Sequence, residues 1–280
     1  MNAQEKLALQ RTANQVRKGI VEEVYSAQSG HPGGSLSIAD IMTYLYEKEL
    51  RIDPKNPRWE DRDRMVLSKG HVCPALYAAL AIKGYFPVEE LKTFRKVGSR
   101  LQGHPDLNKL PGVDFSAGSL GQGMSAAVGM ALAGKLGGKD YRVYTILGDG
   151  ELQEGQVWES AMFAGSRGLD NLCYIVDNNN LQIDGSLEDV CSPYPIDEKF
   201  RAFQFETINI DGHDFDQIEA AFQKAKTIKG KPTVIIAKTI KGKGISFMAD
   251  NAAWHGSAPN GEQYAVAMAD LKKIDEALAG

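Results

Sequence analysis

The chain has 280 residues, 43% of them hydrophobic and 24% charged, and a formal charge of −4. That is the composition of an ordinary globular protein long enough to bury a core, which excludes disordered and fibrous classes. The slightly acidic balance argues against a broad grip on nucleic acid or anionic lipid. No apolar run reaches the ~18 residues of a membrane span. Met1 to Lys18 mixes charged and amide residues instead of building a signal peptide, so the expected address is cytoplasmic. Cys73, Cys173 and Cys191 are odd in number and form no C-x-x-C pair, so neither a disulfide framework nor a zinc site is favoured and buried, inert thiols are expected.

From Gln4 to Gln28 apolar residues recur at helical spacing, and the segment stops at Ser29-Gly30-His31-Pro32-Gly33-Gly34, which should not continue a helix. A second helix is expected from Ser37 to Glu49, then a surface loop from Asp53 to Asp63. The run Met65-Val66-Leu67 reads as a strand entering the turn Ser68-Lys69-Gly70-His71, with a helix from Pro74 to Ile82 behind it. Gly118 to Gly138, rich in Gly, Ala and Met, suits a buried helix whose small residues admit another backbone. Further strands are expected at Val143–Leu147, Leu172–Val176 and Thr233–Ala237, with a weaker one at Thr207–Ile210. Helices at Gly155–Arg167 and Phe215–Ile228 fill the gaps. Apolar strands alternating with helices predict an α/β fold, a doubly wound, mostly parallel sheet with helices on both faces. Residues 1–280 read as a single domain with a C-terminal helix at 262–278.

In such sheets ligands bind outside the carboxyl ends of the strands. Val143–Leu147 runs into Gly148-Asp149-Gly150, a tight turn that lets a ligand approach the backbone, although a G-D-G turn also occurs without any ligand. Leu172–Val176 ends in Asp177-Asn178-Asn179-Asn180-Leu181, thirty residues beyond the first turn. Carboxylate, amide and main-chain oxygens at neighbouring strand tips suit Mg²⁺ or Ca²⁺. A polar loop that uses Asn for its turn conformation fits equally well. His31, His71, His104, His213 and His255 all have a glycine neighbour and fall in turns, where imidazole can move protons or simply face solvent. For His213 a structural reading is preferred, because Asp214 beside it looks like a helix N-cap.

G-D-G followed by N-N resembles the thiamine diphosphate fingerprint, and the surrounding residues are similar to those of the transketolase family. Ser29-Gly30-His31-Pro32-Gly33-Gly34, Ser68-Lys69-Gly70-His71 and Gly103-His104-Pro105-Asp106 resemble its three successive histidine loops. Gly118-Ser119-Leu120-Gly121-Gln122-Gly123 resembles its G-P-L-G-Q-G segment, with Ser119 in place of the usual proline, and Trp254-His255-Gly256 its last histidine motif. The motifs stand in family order from about residue 10 to 260.

The resemblance implies a thiamine diphosphate-binding fold, its diphosphate-binding domain, with thiamine diphosphate and Mg²⁺ as cofactors and Ca²⁺ or Mn²⁺ as possible substitutes. Asp149, the Asn179 side chain and the Leu181 carbonyl would hold the metal, and the Gly150 amide would approach a phosphate oxygen. His71 and His255 would sit near the diphosphate and thiazolium. Gly118 and Leu120 would contact the aminopyrimidine, and Ile183 would pack near the thiazolium. His31, His104 and His255 would line the channel, binding sugar hydroxyls and moving protons. Glu154 would join a carboxylate network across a dimer interface, kept from bulk water and paired with another acid. A first-turn Glu favoured by the helix dipole explains it as well.

The chain stops 25 residues after His255, whereas the family's full-length enzymes continue into a pyrimidine-binding domain and a third domain. Those carry the glutamate that protonates the pyrimidine ring and most of the basic residues for the sugar phosphate. Lys238, Lys241 and Lys243 form one local cluster, either a solvated loop or a phosphate contact. The expectation is the N-terminal subunit of a split transketolase, in an α2β2 assembly with a C-terminal subunit. It would move a two-carbon ketol unit from a ketose phosphate to an aldose phosphate, in the pentose phosphate pathway or a specialised sugar catabolism. Met1 ahead of a first helix and Ala279-Gly280 after a last one fit a natural subunit. The alternatives are a subunit resembling 1-deoxyxylulose-5-phosphate synthase or a 2-oxo acid dehydrogenase, or a non-catalytic cofactor-binding homologue.

Overall fold

The computed structural model describes residues 1–280. Its centre is a parallel sheet of five strands: β1 (Arg64–Leu67), β2 (Val143–Gly148), β3 (Leu172–Asn178), β6 (Glu206–Asp211) and β7 (Thr233–Lys238), in the spatial order β1-β2-β3-β7-β6. A separate short hairpin, β4 (Leu181–Gln182) and β5 (Gly185–Ser186), follows β3. The weak strand at 207–210 is therefore a full edge strand.

Because side chains alternate across a strand, β1, β2, β3 and β7 feed two cores, whereas the edge strand β6 contributes to the first alone. Leu67, Tyr144, Ile146, Cys173, Ile175, Ile235 and Ala237 face one core. Val66, Val143, Leu147, Tyr174, Val176, Val234 and Ile236 face the other. The first is covered by α1 (Ala3–Ala27), α3 (Ala39–Tyr44), α4 (Cys73–Lys83), α9 (Phe215–Thr227) and α10 (Gly261–Ala279); the second by α5 (Gln122–Leu136), α6 (Gly155–Ser166) and α8 (Ile196–Ala202). β1, β2, β3 and β7 are apolar on both sides where they are covered, and this is why they read as apolar runs, which Glu206–Asp211 does not. A further short helix, α7 (Leu187–Val190), follows the hairpin.

Helix α1 starts in a capping box between Asn2 and Glu5 and ends with Gln28 in the left-handed region. The glycine-rich hexapeptide does break it, but Pro32-Gly33-Gly34 opens a new helix, α2 (Pro32–Ser37), with Pro32 at its first position, where its missing N–H costs nothing. The expected single helix from Ser37 to Glu49 is also broken. It becomes the end of α2, then α3, then a wide turn at Leu45–Glu49, with Ile38 between the first two at φ −97° and ψ 4°. Ser35 Oγ donates to the His31 carbonyl, a back-bond that competes with regular helix.

The small-residue helix begins four residues later than expected, because Gly121 is left-handed at φ 80° and frees 118–121 as a loop. Only one face of α5 is buried; Gly129, Ala133 and Leu136 are exposed. Helix α9 starts at the expected cap, with Asp214 accepting from the Asp216 N–H. Helix α10 packs on α1, where Tyr264 stacks on Tyr25 at 4.0 Å and Asn14 Nδ2 donates to the Leu271 carbonyl at 2.8 Å. Cys73 and Cys173 are buried, but Cys191 is exposed, which corrects the expectation of three buried thiols. No helix is long and apolar enough to cross a membrane.

Candidate active site

The register of the sheet decides where the chemistry lies. Gly148 at the tip of β2 pairs with Asp177 of β3, and Asp177 pairs in turn with Ala237 of β7. The G-D-G turn and the Asn-rich turn are therefore neighbours at the carboxyl edge. Asp177 is fully buried between them and gathers four donors: Ser37 Oγ at 2.6 Å, Lys69 Nζ at 2.5 Å, Asn179 Nδ2 at 3.0 Å, and Thr239 Oγ1. Burial alone would raise the proton affinity of this carboxyl, but the Lys69 ammonium and the donors outweigh it and hold it below the usual carboxylate value. One side chain thus joins α2 and the turns after β1, β3 and β7.

Glu151 does the same on the other side of the G-D-G turn. It accepts from Ser68 Oγ at 2.5 Å, the Gly121 N–H at 2.8 Å and the Gly148 N–H at 3.0 Å. Glu151 therefore holds the 118–121 loop against β2.

Between these anchors stands Asp149, buried, accepting from the N–H of Gly150 at 2.8 Å and of Asn180 at 2.5 Å. The second bond requires Asn180 in the left-handed region, φ 62°, which asparagine tolerates. Burial first, then the Asp177 charge, push the Asp149 carboxyl up to about 7. Asn179 Oδ1 accepts from the Leu181 N–H at 3.1 Å, and the Leu181 carbonyl accepts from Lys241 Nζ at 3.0 Å. The donor set of one carboxylate, one amide oxygen and one main-chain carbonyl fits a hard divalent cation, and a carboxylate strained by burial is what such an ion would relieve. The Gly150 amide, expected to face a phosphate oxygen, is already committed to Asp149.

Lys241 is buried and forms no ion pair, and its ammonium is lowered to about 8 by burial and by Lys69. A buried cation without a carboxylate partner, donating to one of the three oxygens just described, fits a bound diphosphate. This resolves the Lys238, Lys241, Lys243 cluster: Lys241 lines the cleft and Lys238 is exposed.

Opposite the turn, three imidazoles pack together. Ring centroids lie 5.0 Å apart for His31 and His71, 5.5 Å for His31 and His255, and 5.3 Å for His71 and His255. Glycine makes this possible: a Cβ on Gly33 would lie 2.8 Å from the Trp254 carbonyl, so the turns carrying His31 and His255 touch only because it is absent. Burial, helped by Arg95, lowers His31 to about 4; burial and Lys241 lower His255 to about 3; burial and Lys69 hold His71 well down. All three are neutral at neutral pH, and Nδ1 of His31 and of His255 are buried without a partner. His104, also lowered by burial and Arg95, completes this wall.

Gly118, Leu120, Ile183 and Glu154 form the rim. All twelve anticipated residues line one cleft of about 500 Å³. Gly118 opens onto free space, and Ile183 is 64% exposed. Glu154 is exposed, caps nothing and pairs with no acid in this chain, so the expected shielding from water is not supplied here. His213 lies outside the cleft, its Nδ1 2.8 Å from Asp40 and its Nε2 accepting from the Ile240 N–H at 2.9 Å, in keeping with a structural role. Lys69, Glu151 and Asp177 are not among the residues singled out from the sequence, and Lys241 is left open there between a solvated loop and a phosphate contact. The available signals were Lys69 inside the second histidine loop and Asp177 immediately before the asparagine run.

The chain matches the family described as transketolase, thiamine diphosphate binding domain, over residues 8–272. It is 48% identical to the 6-deoxy-6-sulfo-D-fructose transketolase subunit SqwG of Clostridium sp. (strain MSTE9), across 97% of this chain and 98% of that one. It is 40% identical to one of the subunits of the apulose-4-phosphate transketolase of Phocaeicola vulgatus, across 98% of this chain and 96% of that one. Mouse transketolase is 45% identical over 90% of this chain, which covers only 40% of that enzyme. The crystal structure of Campylobacter jejuni transketolase superposes with a TM-score of 0.89 at 35% identity, covering all of this chain and 47% of that one. The chain thus spans less than half of these longer relatives, and by the extent of its match it belongs to the transketolase family.

Proposed function

We propose that this chain is the diphosphate-binding subunit of a two-polypeptide transketolase. Its substrates would be a donor ketose and an acceptor aldose, and a separate chain would carry the pyrimidine-binding and C-terminal domains. The observation that supports this best is the meeting, in one cleft, of the Asp149, Asn179 and Leu181 oxygens with three neutral imidazoles. Asp149, Asn179 and Leu181 hold Mg²⁺, and Lys241, with Lys69 behind it, answers the diphosphate charge. Bound thiamine diphosphate supplies the electron sink for breaking the carbon–carbon bond beside the ketose carbonyl. His31, His104 and His255 bind sugar hydroxyls; because Nδ1 of His31 and of His255 is buried, Nε2 of these neutral rings is the atom that would accept a hydroxyl proton and return it. Gly118, Leu120 and Ile183, on the open rim, meet the heterocycle where the second polypeptide closes over it.

The assembly is α2β2. Helices α5 and α6 expose Leu136 at 80% and Met162 at 57%, apolar surface suited to a second copy. Two relatives are named for ketoses carrying a sulfonate or a phosphate, which favours an anionic sugar and a specialised catabolism. The cysteines, unpaired, fit the reducing cytoplasm. The test is to co-purify the chain with the product of a neighbouring reading frame and assay two-carbon transfer from ketose phosphates or sulfonates with Mg²⁺ and thiamine diphosphate. Transfer only by the complex supports the reading; transfer by the chain alone, or pyruvate-dependent CO₂ release, overturns it.

A further inference from the structure

Arg95 belongs to none of the motifs above, yet it touches two of them. Its backbone is left-handed, φ 56°, and its N–H donates to the Leu101 carbonyl at 2.9 Å, so residues 95–101 fold back on themselves. Nη1 donates to Ser29 Oγ at 2.8 Å and Nη2 to the Gly103 carbonyl at 3.3 Å. Ser29 lies two residues before His31, and Gly103 immediately before His104. The glycine lets the guanidinium lie this close: a Cβ on Gly103 would lie 2.9 Å from Arg95 Nε, and the side chain would have to shift.

We propose that Arg95 is a positioning residue of the cleft, its guanidinium tying the turn that carries His31 to the turn that carries His104 and so fixing how the two imidazoles face a bound sugar. This rests on the reading of the cleft given under Proposed function. The planar fork suits the task, since it serves two acceptors at once and a lysine serves them poorly. A permanent charge beside both rings also disfavours their imidazolium forms. The other groups facing His31 are Lys241, His104 and the rings of His71 and His255. Lys96 and Lys109 share a neighbouring cavity with His104, which no carboxylate lines. Arg95 is the cation acting on both rings.

The test combines histidine-labelled NMR of the chain with kinetics of the complex. In Arg95→Met the titration midpoints of His31 and His104 should rise by about one unit. kcat should fall about tenfold or more, with the KM for thiamine diphosphate within about twofold of wild type. Arg95→Lys should leave the midpoints low but still lose kcat, and Gly103→Ala, which displaces the guanidinium, should lose kcat likewise. Unchanged midpoints and unchanged kcat in Arg95→Met overturn the proposal, and if that variant fails to fold, wild-type kcat in Arg95→Lys does so. A wild-type complex without transfer activity would sink the functional reading alone, because the titrations still decide the role of Arg95.

Discussion

Gly148 and Asp177 face each other across the β2–β3 ladder, and this single register pair places Asp149, one residue on from the first, beside Asn179, two residues on from the second. The parallel pairing thus brings together the oxygens of two turns thirty residues apart, the position proposed above for the metal.

The Lys69–Asp177 pair is buried, and removing one partner strands the other charge. Lys69→Met or Asp177→Ala should each destabilise the chain by about 3–5 kcal/mol. The double replacement should cost less than the sum of the two. Urea unfolding of the three variants measures this; strict additivity would show that the pair is not coupled.

Glu151→Ala leaves Ser68 Oγ and the N–H groups of Gly121 and Gly148 without their acceptor. Each stranded buried donor costs about 1–3 kcal/mol. A loss of about 3 kcal/mol or more is expected, together with weaker thiamine diphosphate binding by the complex, because the 118–121 rim comes loose. Wild-type stability would show that these donors find water.

The histidine cluster gives the chain an acid limb. His31 and His255 titrate at about 4 and 3 when folded and near 6.5 when unfolded. Below pH 6.5 the unfolded chain therefore binds more protons, and stability falls as the pH drops from 6.5 towards 4. The fall between pH 7 and pH 5, read from urea midpoints, should be smaller in the His31→Asn/His255→Asn double variant. An equal fall in both proteins would assign the limb to other groups.

β2, β3 and β7 were legible because both sheet faces are covered there, so each reads as an apolar run, whereas β6, apolar on one side only, reads more weakly. The twelve cleft residues were legible because short motifs carried them. What escaped notice was contact between distant segments. Asp177 looked like the start of a polar turn, and nothing local links it to Ser37, Lys69 or Thr239, which only the sheet order brings together. For Lys241 the sequence leaves a solvated loop and a phosphate contact equally open, and only folding, which buries it against Leu181, separates it from Lys238. The break at Ile38 has no glycine or proline at that position to announce it. Glu154 is expected to be shielded, and in this chain by itself it is exposed.

The most direct test is a calorimetric titration of the complex with thiamine diphosphate, with and without Mg²⁺, for wild type and Asp149→Ala. Tight binding that needs Mg²⁺ and weakens about a hundredfold or more in the variant is the predicted result. Equal affinity in both proteins, or binding indifferent to Mg²⁺, would contradict the site assigned to the tips of β2 and β3.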